Sequence, residues 1–117
     1  MEIKALQLEL QKFADERDWD QFHSVRNLAL AVIGEAGELA EVLQWVGDDK
    51  INGFLEAGGR QRLSEELADV LIYLVRLADK AGVDLESAVR AKLLSNSEKY
   101  PVDHARGNAR KYTEFNR

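Results

Sequence analysis

The 117-residue chain contains no cysteine, which excludes disulfides, thiolate zinc sites and a cysteine nucleophile. It has one proline, Pro101, so the first hundred residues lack the strongest helix breaker. Apolar runs are short: Val70–Val75 falls far below the roughly 20 residues needed to cross a bilayer. Met1-Glu2-Ile3-Lys4 does not begin a signal peptide, and a cytoplasmic protein is expected. Basic residues are in deficit, with 16 Lys plus Arg against 21 Asp plus Glu and a net charge of −5. That balance disfavours nucleic-acid polymers and anionic membranes as partners, while leaving room for a small anionic ligand accompanied by a metal. Histidine occurs twice, at His23 and His104, and neither belongs to the Glu-x-x-His pairs that di-iron helical bundles use. No repeat or low-complexity stretch is present.

What is present is hydrophobic patterning. Hydrophobic residues make up 45% and charged residues 32% of the chain, a mixture that excludes simple disorder and fits a single domain over residues 1–117. A chain this short can need a partner copy to complete a buried site. Apolar residues recur at three- and four-residue steps without sustained alternation, which predicts an all-α, four-helix bundle that associates with further copies. A first helix spans residues 2–17, with Ile3, Leu6, Leu10 and Phe13 along one stripe. Residues 18–24 read as a loop, and Ser24 or Asn27 caps a second helix that runs to about Val46. Gly47-Asp48-Asp49 ends it, and a weak segment to Gly58-Gly59 reads as a linker. A third helix covers about 61–81 and stops at Gly82. Asp84 caps a fourth that lasts until Pro101, and about 102–117 forms a C-terminal arm.

The second helix carries an anomaly. Leu28, Val32, Leu39, Val42, Leu43 and Val46 share one face, yet Glu35 lies in the middle of that face and Glu38 sits one turn along its flank. Burying a lone carboxylate costs several kcal/mol or forces it to hold a proton. No Lys or Arg stands between Arg26 and Lys50 to offset it. On the third helix, Leu63, Leu67, Val70, Leu74, Leu77 and Ala81 form the expected core stripe, flanked by Glu66 and Asp69 with Tyr73 one turn on. Taken alone, Glu66 and Asp69 read as solvated charges on the bundle edge. Packed against the second helix, they place four carboxylates around one point.

Four oxygen ligands call for a hard cation, and Mg²⁺ is the usual choice where phosphates and water complete the octahedron. A metal so held neutralises polyphosphate charge and activates water. Lys92, Asn96 and Lys99 on the fourth helix offer donors to phosphate, though any one reads equally as an ordinary surface residue. Trp19, Phe22 and His23 in the first loop and Trp45 at the end of the acidic helix supply aromatic surface on which a base can stack for about 1–3 kcal/mol.

Glu35-Ala36-Gly37-Glu38 followed by Glu66-Leu67-Ala68-Asp69 resembles the paired acidic motifs of the all-α, MazG-like nucleoside triphosphate pyrophosphohydrolases. The stretch from Phe13 to His23, then Arg26-Asn27-Leu28, Gly34–Trp45, Glu65–Leu74, Lys92 through Pro101, Arg106-Gly107 and Lys111-Tyr112-Thr113 resemble the dCTP pyrophosphatase branch. The resemblance implies a homo-oligomer, a tetramer built from tight dimers as a dimer of dimers, with sites shared between chains. It implies Mg²⁺-dependent hydrolysis of dCTP, including base-modified forms, to dCMP and pyrophosphate, in the role of nucleotide-pool house-cleaning. It further implies that Glu35, Glu38, Glu66 and Asp69 bind the metal and supply the catalytic carboxylates. Lys92, Asn96 and Tyr100 then match positions near the phosphates and sugar, and Trp19, His23, Trp45 and Tyr73 match the base and sugar pocket. One position departs: vertebrate members carry a histidine where this chain has Leu10. Two alternatives stand beside this reading: a broad-specificity or different-base pyrophosphohydrolase of the same superfamily, and a non-catalytic helical module assembled by metal.

Overall fold

The computed structural model describes residues 1–115, and every regular element among them is helical. The chain forms two compact units, one from Met1 to Val83 and one from Asp84 onward. In the first unit, α1 spans Ile3–Glu16. It ends where Asp18 takes a positive φ of 54°, and the Trp19 N–H returns to the Ala14 carbonyl at 2.8 Å. That return folds the Trp19 ring against Phe13, edge to face, with centroids 5.8 Å apart. A 3₁₀ turn at Asp20–Phe22 follows.

The helix α2, Val25–Leu43, begins at Ser24, whose hydroxyl accepts from the Asn27 N–H at 3.1 Å. Ser24 is therefore the cap, satisfying a donor of the open first turn. Asn27 lies inside the helix and donates through its side chain to the Phe22 carbonyl at 3.0 Å. The expected linker over 47–59 is instead helical: a 3₁₀ turn at Asp48–Lys50, the short α3 at Ile51–Phe54 and a kinked turn at Leu55–Gly59. Ile51, Phe54 and Leu55 are half-buried, and their i, i+3, i+4 spacing is what anchors the segment. Gly58 sits at φ 104°, the left-handed region open to glycine. A Cβ on Gly59 would overlap the Phe54 ring. The chain thus turns directly into α4, Arg60–Ala81, which Gly82 closes at φ 69° with its N–H on the Ala78 and Asp79 carbonyls.

Packing in this unit centres on α2 against α4, with α1 also lying on α4. Ala14, Leu28, Val42, Val75 and Ala78 are its fully buried apolar residues. The face expected on α2 is the buried one. The stripe expected on α4 is not: Leu67 and Leu74 are exposed, and the buried positions are Val75, Arg76 and Ala78. This helix serves two neighbours, and its C-terminal half turns toward α1, where Gln7 reaches the Val75 carbonyl at 3.5 Å. Leu30 and Ile33 on α2 and Leu67 and Leu71 on α4 remain exposed. Among the described residues no helix is long and apolar enough to cross a membrane.

In the second unit, Asp84 caps α5, Leu85–Lys99, accepting from the Ser87 N–H at 2.9 Å. After Pro101 come the single-turn α6, Val102–Ala105, and a 3₁₀ turn at Tyr112–Glu114. Tyr100 meets Tyr112 and Phe115 edge-on at 5.9 and 5.6 Å, and His104 stacks on Phe115. Residues 116 and 117 of the expected arm lie outside the described residues.

With Leu28 only 1% exposed, Leu28→Ala is expected to lower unfolding free energy by about 2–5 kcal/mol. Ser24→Ala, which removes only the cap, is expected to cost about 0.5–2 kcal/mol. Chemical denaturation of the two variants beside the parent chain checks both, and an Ala at position 28 that costs no more than the cap would contradict the core assignment.

Candidate metal centre

Spacing of i, i+3 on α2 and again on α4 places each acidic pair on one helix face, and the packing of the two helices brings the faces together. Carboxylate oxygens of Glu35, Glu38 and Glu66 all lie within 4.8 Å of one another. Oε2 of Glu35 and Oε2 of Glu66 are buried and have no hydrogen-bond partner. Within this unit, among the described residues, none of the ion pairs involves Glu35, Glu38, Glu66 or Asp69. Buried carboxylate oxygens without donors are costly and rare. A divalent cation removes the cost, and an oxygen-only donor set suits a hard one. The residues present therefore fit a metal.

Electrostatics point the same way. Burial pushes the Glu35 carboxyl above the usual range, and Glu38, Asp69 and Glu66 raise it further. Glu66 is likewise raised, first by burial and then by the charges of Glu38, Asp69 and Glu65. In the metal-free chain burial and mutual repulsion thus favour the protonated form of both groups, a cost that a bound cation would remove. Asp69 adds negative charge to both, but its oxygens are not part of the close trio.

Beside the centre lies a cavity of about 240 Å³, lined by Leu10, Trp19, His23, Glu35, Asp69 and Tyr73 among others. The loop after α1 supplies Trp19 and His23, α2 supplies Glu35, and α4 supplies Asp69 and Tyr73. Aromatic walls and acid groups thus share one space. Trp45 stands apart: it is 87% exposed and does not line this cavity. Lys92, Asn96 and Tyr100 belong to the second unit, with Lys92 exposed and the other two half-buried.

One residue escapes a reading of the sequence. Arg76 lines the cavity and is only 2% exposed, although beside Asp69 it reads as a solvated charge. Its Nη2 lies 2.6 Å from Asp20 Oδ1. Lys80 Nζ lies 2.5 Å from the same oxygen, and Lys80, Gln11 and Arg76 together hold the Asp20 carboxyl far below the usual range. The available signal was spacing: Glu66, Asp69, Tyr73 and Arg76 follow one another at steps of three, four and three, which keeps Arg76 on the functional stripe.

Residues 32–115 match the MazG-like family. The chain is 51% identical over 107 residues to dCTP pyrophosphatase 1 of Rattus norvegicus, covering 91% of this chain and 63% of the relative. It is 53% identical over 106 residues to dCTP pyrophosphatase 1 of Homo sapiens, covering 89% and 62%. The chain thus spans under two thirds of the length of these curated relatives. Its fold is similar to the crystal structure of a pyrophosphatase from Archaeoglobus fulgidus, with a TM-score of 0.78, 38% identity and coverage of 84% of this chain and 91% of the other.

A carboxyl whose pKa is raised on folding binds more protons in the native state, so its contribution to stability falls as pH rises from the ordinary glutamate range through the raised value. In chelator, Glu35→Gln is expected to melt above the parent chain at neutral pH, by a few degrees, with the gap closing in mild acid. Mg²⁺ is expected to raise the melting temperature of the parent chain at neutral pH and to raise that of the variant less. Thermal unfolding across pH with and without metal tests this; a parent chain insensitive to Mg²⁺, with no gap between the two proteins in chelator, would remove the metal assignment.

Proposed function

Because the chain belongs to the MazG-like family, we propose that it is an Mg²⁺-dependent nucleoside triphosphate pyrophosphohydrolase that converts dCTP, including base-modified forms, to dCMP and pyrophosphate. Two orphaned buried carboxylate oxygens beside an aromatic cavity carry this assignment. The names of the mammalian relatives support the substrate. The role is house-cleaning of the nucleotide pool in the cytoplasm, and the net charge of −5 suits a metal-borne nucleotide and opposes a nucleic-acid polymer. The family match runs through both compact units, which supports one functional domain over 1–117 with about 102–117 as its arm. Exposed Leu30, Ile33, Leu67 and Leu71 support association with further copies, as tight dimers pairing into a tetramer.

Glu35, Glu38, Glu66 and Asp69 are the residues that would hold Mg²⁺. When bound, the ion supplies charge neutralisation at the polyphosphate and a water of lowered pKa. A carboxylate oxygen among the four acids that the ion does not take up accepts the proton of the attacking water. Trp19, Tyr73 and His23 hold the base and sugar and exclude water from them. Lys92, Asn96 and Tyr100 act on the phosphates and sugar through their donors. Trp45, exposed on its own chain, contributes to a pocket shared with another copy. Leu10 favours a second reading within the same chemistry: as an apolar wall of the cavity it makes no directed hydrogen bond, which widens the range of bases accepted.

With Mg²⁺ present, dCTP is expected to yield dCMP and pyrophosphate; orthophosphate with dCDP would place the cleavage elsewhere and refute the assignment. A panel of nucleotides at equal concentration separates the cytosine-selective reading from the broader one. Glu38→Gln and Asp69→Asn are expected to lower kcat by at least ~100-fold, as loss of metal stabilisation worth several kcal/mol requires, with helical circular dichroism intact. Loss of the helical signal in both variants would assign the acids a structural role.

A further inference from the structure

Arg76 is the buried charged residue among those described, and each of its three nitrogens has a partner. Nη2 donates to Asp20 Oδ1, Nη1 donates to Gln11 Oε1, and Nε donates to His23 Nδ1 at 3.2 Å. Gln11 closes the set by donating to the same Asp20 oxygen at 3.0 Å, and Asp79 Oδ2 lies 3.9 Å from Nη1. A guanidinium has five donors, no acceptor and stays charged at any pH the fold survives. The nitrogen it meets must therefore offer a lone pair. That nitrogen is Nδ1, so a neutral His23 carries its one proton on Nε2. Among the described residues no protein group is bonded to Nε2, while the ring lines the cavity with Trp19 and Tyr73.

We propose that Arg76 is a positioning residue that holds His23 as its Nε2–H tautomer, so that His23 meets the bound nucleotide as a hydrogen-bond donor and acts neither as a base nor as a metal ligand. This rests on the assignment of the cavity to the nucleotide. The environment of the ring agrees: burial, then the Arg76 charge, with Lys80 behind it, disfavour the imidazolium, and only Asp20 opposes them. The fork of Arg76 is itself held by Asp20, whose second cationic partner, Lys80, keeps that carboxylate ionised. The complementary ligand group is an acceptor, either a carbonyl or ring nitrogen of the base or a hydroxyl oxygen of the sugar. A histidine free to change tautomer would accept donor and acceptor alike; one locked by an arginine selects acceptors.

Nitrogen NMR of the full chain, with His104→Gln used to assign the two imidazoles, is expected to show His23 with Nε2 protonated and Nδ1 bare at neutral pH. A protonated Nδ1 in the parent chain overturns the proposal without any substitution at Arg76. In Arg76→Lys the Nδ1–H form is expected to appear, KM for dCTP to rise about tenfold through a misdirected donor, and kcat to change far less. His23→Phe, which keeps an aromatic ring but no donor, is expected to raise KM similarly, and adding Arg76→Lys to it to cost little more. Full additivity of the two substitutions would make Arg76 merely structural and overturn the positioning role. A 3′-deoxy analogue of dCTP identifies the acceptor: the penalty of His23→Phe vanishes on it if the sugar oxygen is the partner and persists if the base is, and either result upholds the donor. Should the tautomer hold while no nucleotide is bound or hydrolysed, the functional assignment fails and takes the donor role with it, leaving only the Arg76–His23 lock; should turnover proceed with Nδ1 protonated, only the tautomer lock fails.

Discussion

Uncompensated negative charge at the seam between α2 and α4 governs this molecule. Three carboxylates converge within 4.8 Å, two of their oxygens are buried without partners, and burial raises the pKa of Glu35 and Glu66. Like charges at such separations in a partly desolvated site repel by several kcal/mol, about 4 at an effective dielectric of 20. The same unit shows that the chain can pair a buried charge when the fold calls for it. Arg76, at 2% exposure more fully withdrawn from water than the acids, has a partner for each nitrogen. The two sites contrast: one is closed by protein partners, and the other is left open, which marks its acids as the candidate ligand site.

The open site and the cavity are products of the same packing. Glu35 lies on the apolar face of α2, so the contact that buries Leu28 and Val42 also withdraws its carboxylate from solvent. The return of the chain after α1, set by Asp18 and the Trp19 N–H, brings an indole and an imidazole to the wall of the space that Glu35 and Asp69 also line. Acid groups and aromatic walls thus occupy adjacent surfaces of one pocket. The acids stand on helices, with Ser24 capping the start of α2 and Gly82 closing the end of α4, which limits their freedom to drift.

Much of this was legible in the residues themselves. Acids on an apolar helix face, with no basic residue from Arg26 to Lys50, are visible as a defect in amphipathic patterning before any coordinates. Gly82 and Asp84 mark helix ends by local chemistry alone, whereas the choice of Ser24 over Asn27 as a cap came from the structure. Other features were not legible. The segment after Gly47 looked like a linker because two glycine-rich ends framed it, yet Ile51, Phe54 and Leu55 find enough cover to hold it helical. The buried stripe of α4 departs from its apolar pattern because its neighbours change along its length, and a pattern of apolar residues carries no record of which neighbour comes where.

By itself, then, the sequence determined the helical class, the helix ends at Gly82 and Asp84, and the presence of four acids in two i, i+3 pairs, since all of these follow from backbone sterics and periodicity within a single segment. Only the tertiary structure decided that Glu35, Glu38 and Glu66 form a close trio while Asp69 faces the cavity, that Trp45 lies open, and that Arg76 is buried against Asp20 and His23. The physical reason is sequence separation. Arg76 and His23 are 53 residues apart, and a hydrogen bond between them depends on the rotation of one helix against another, which no local propensity encodes.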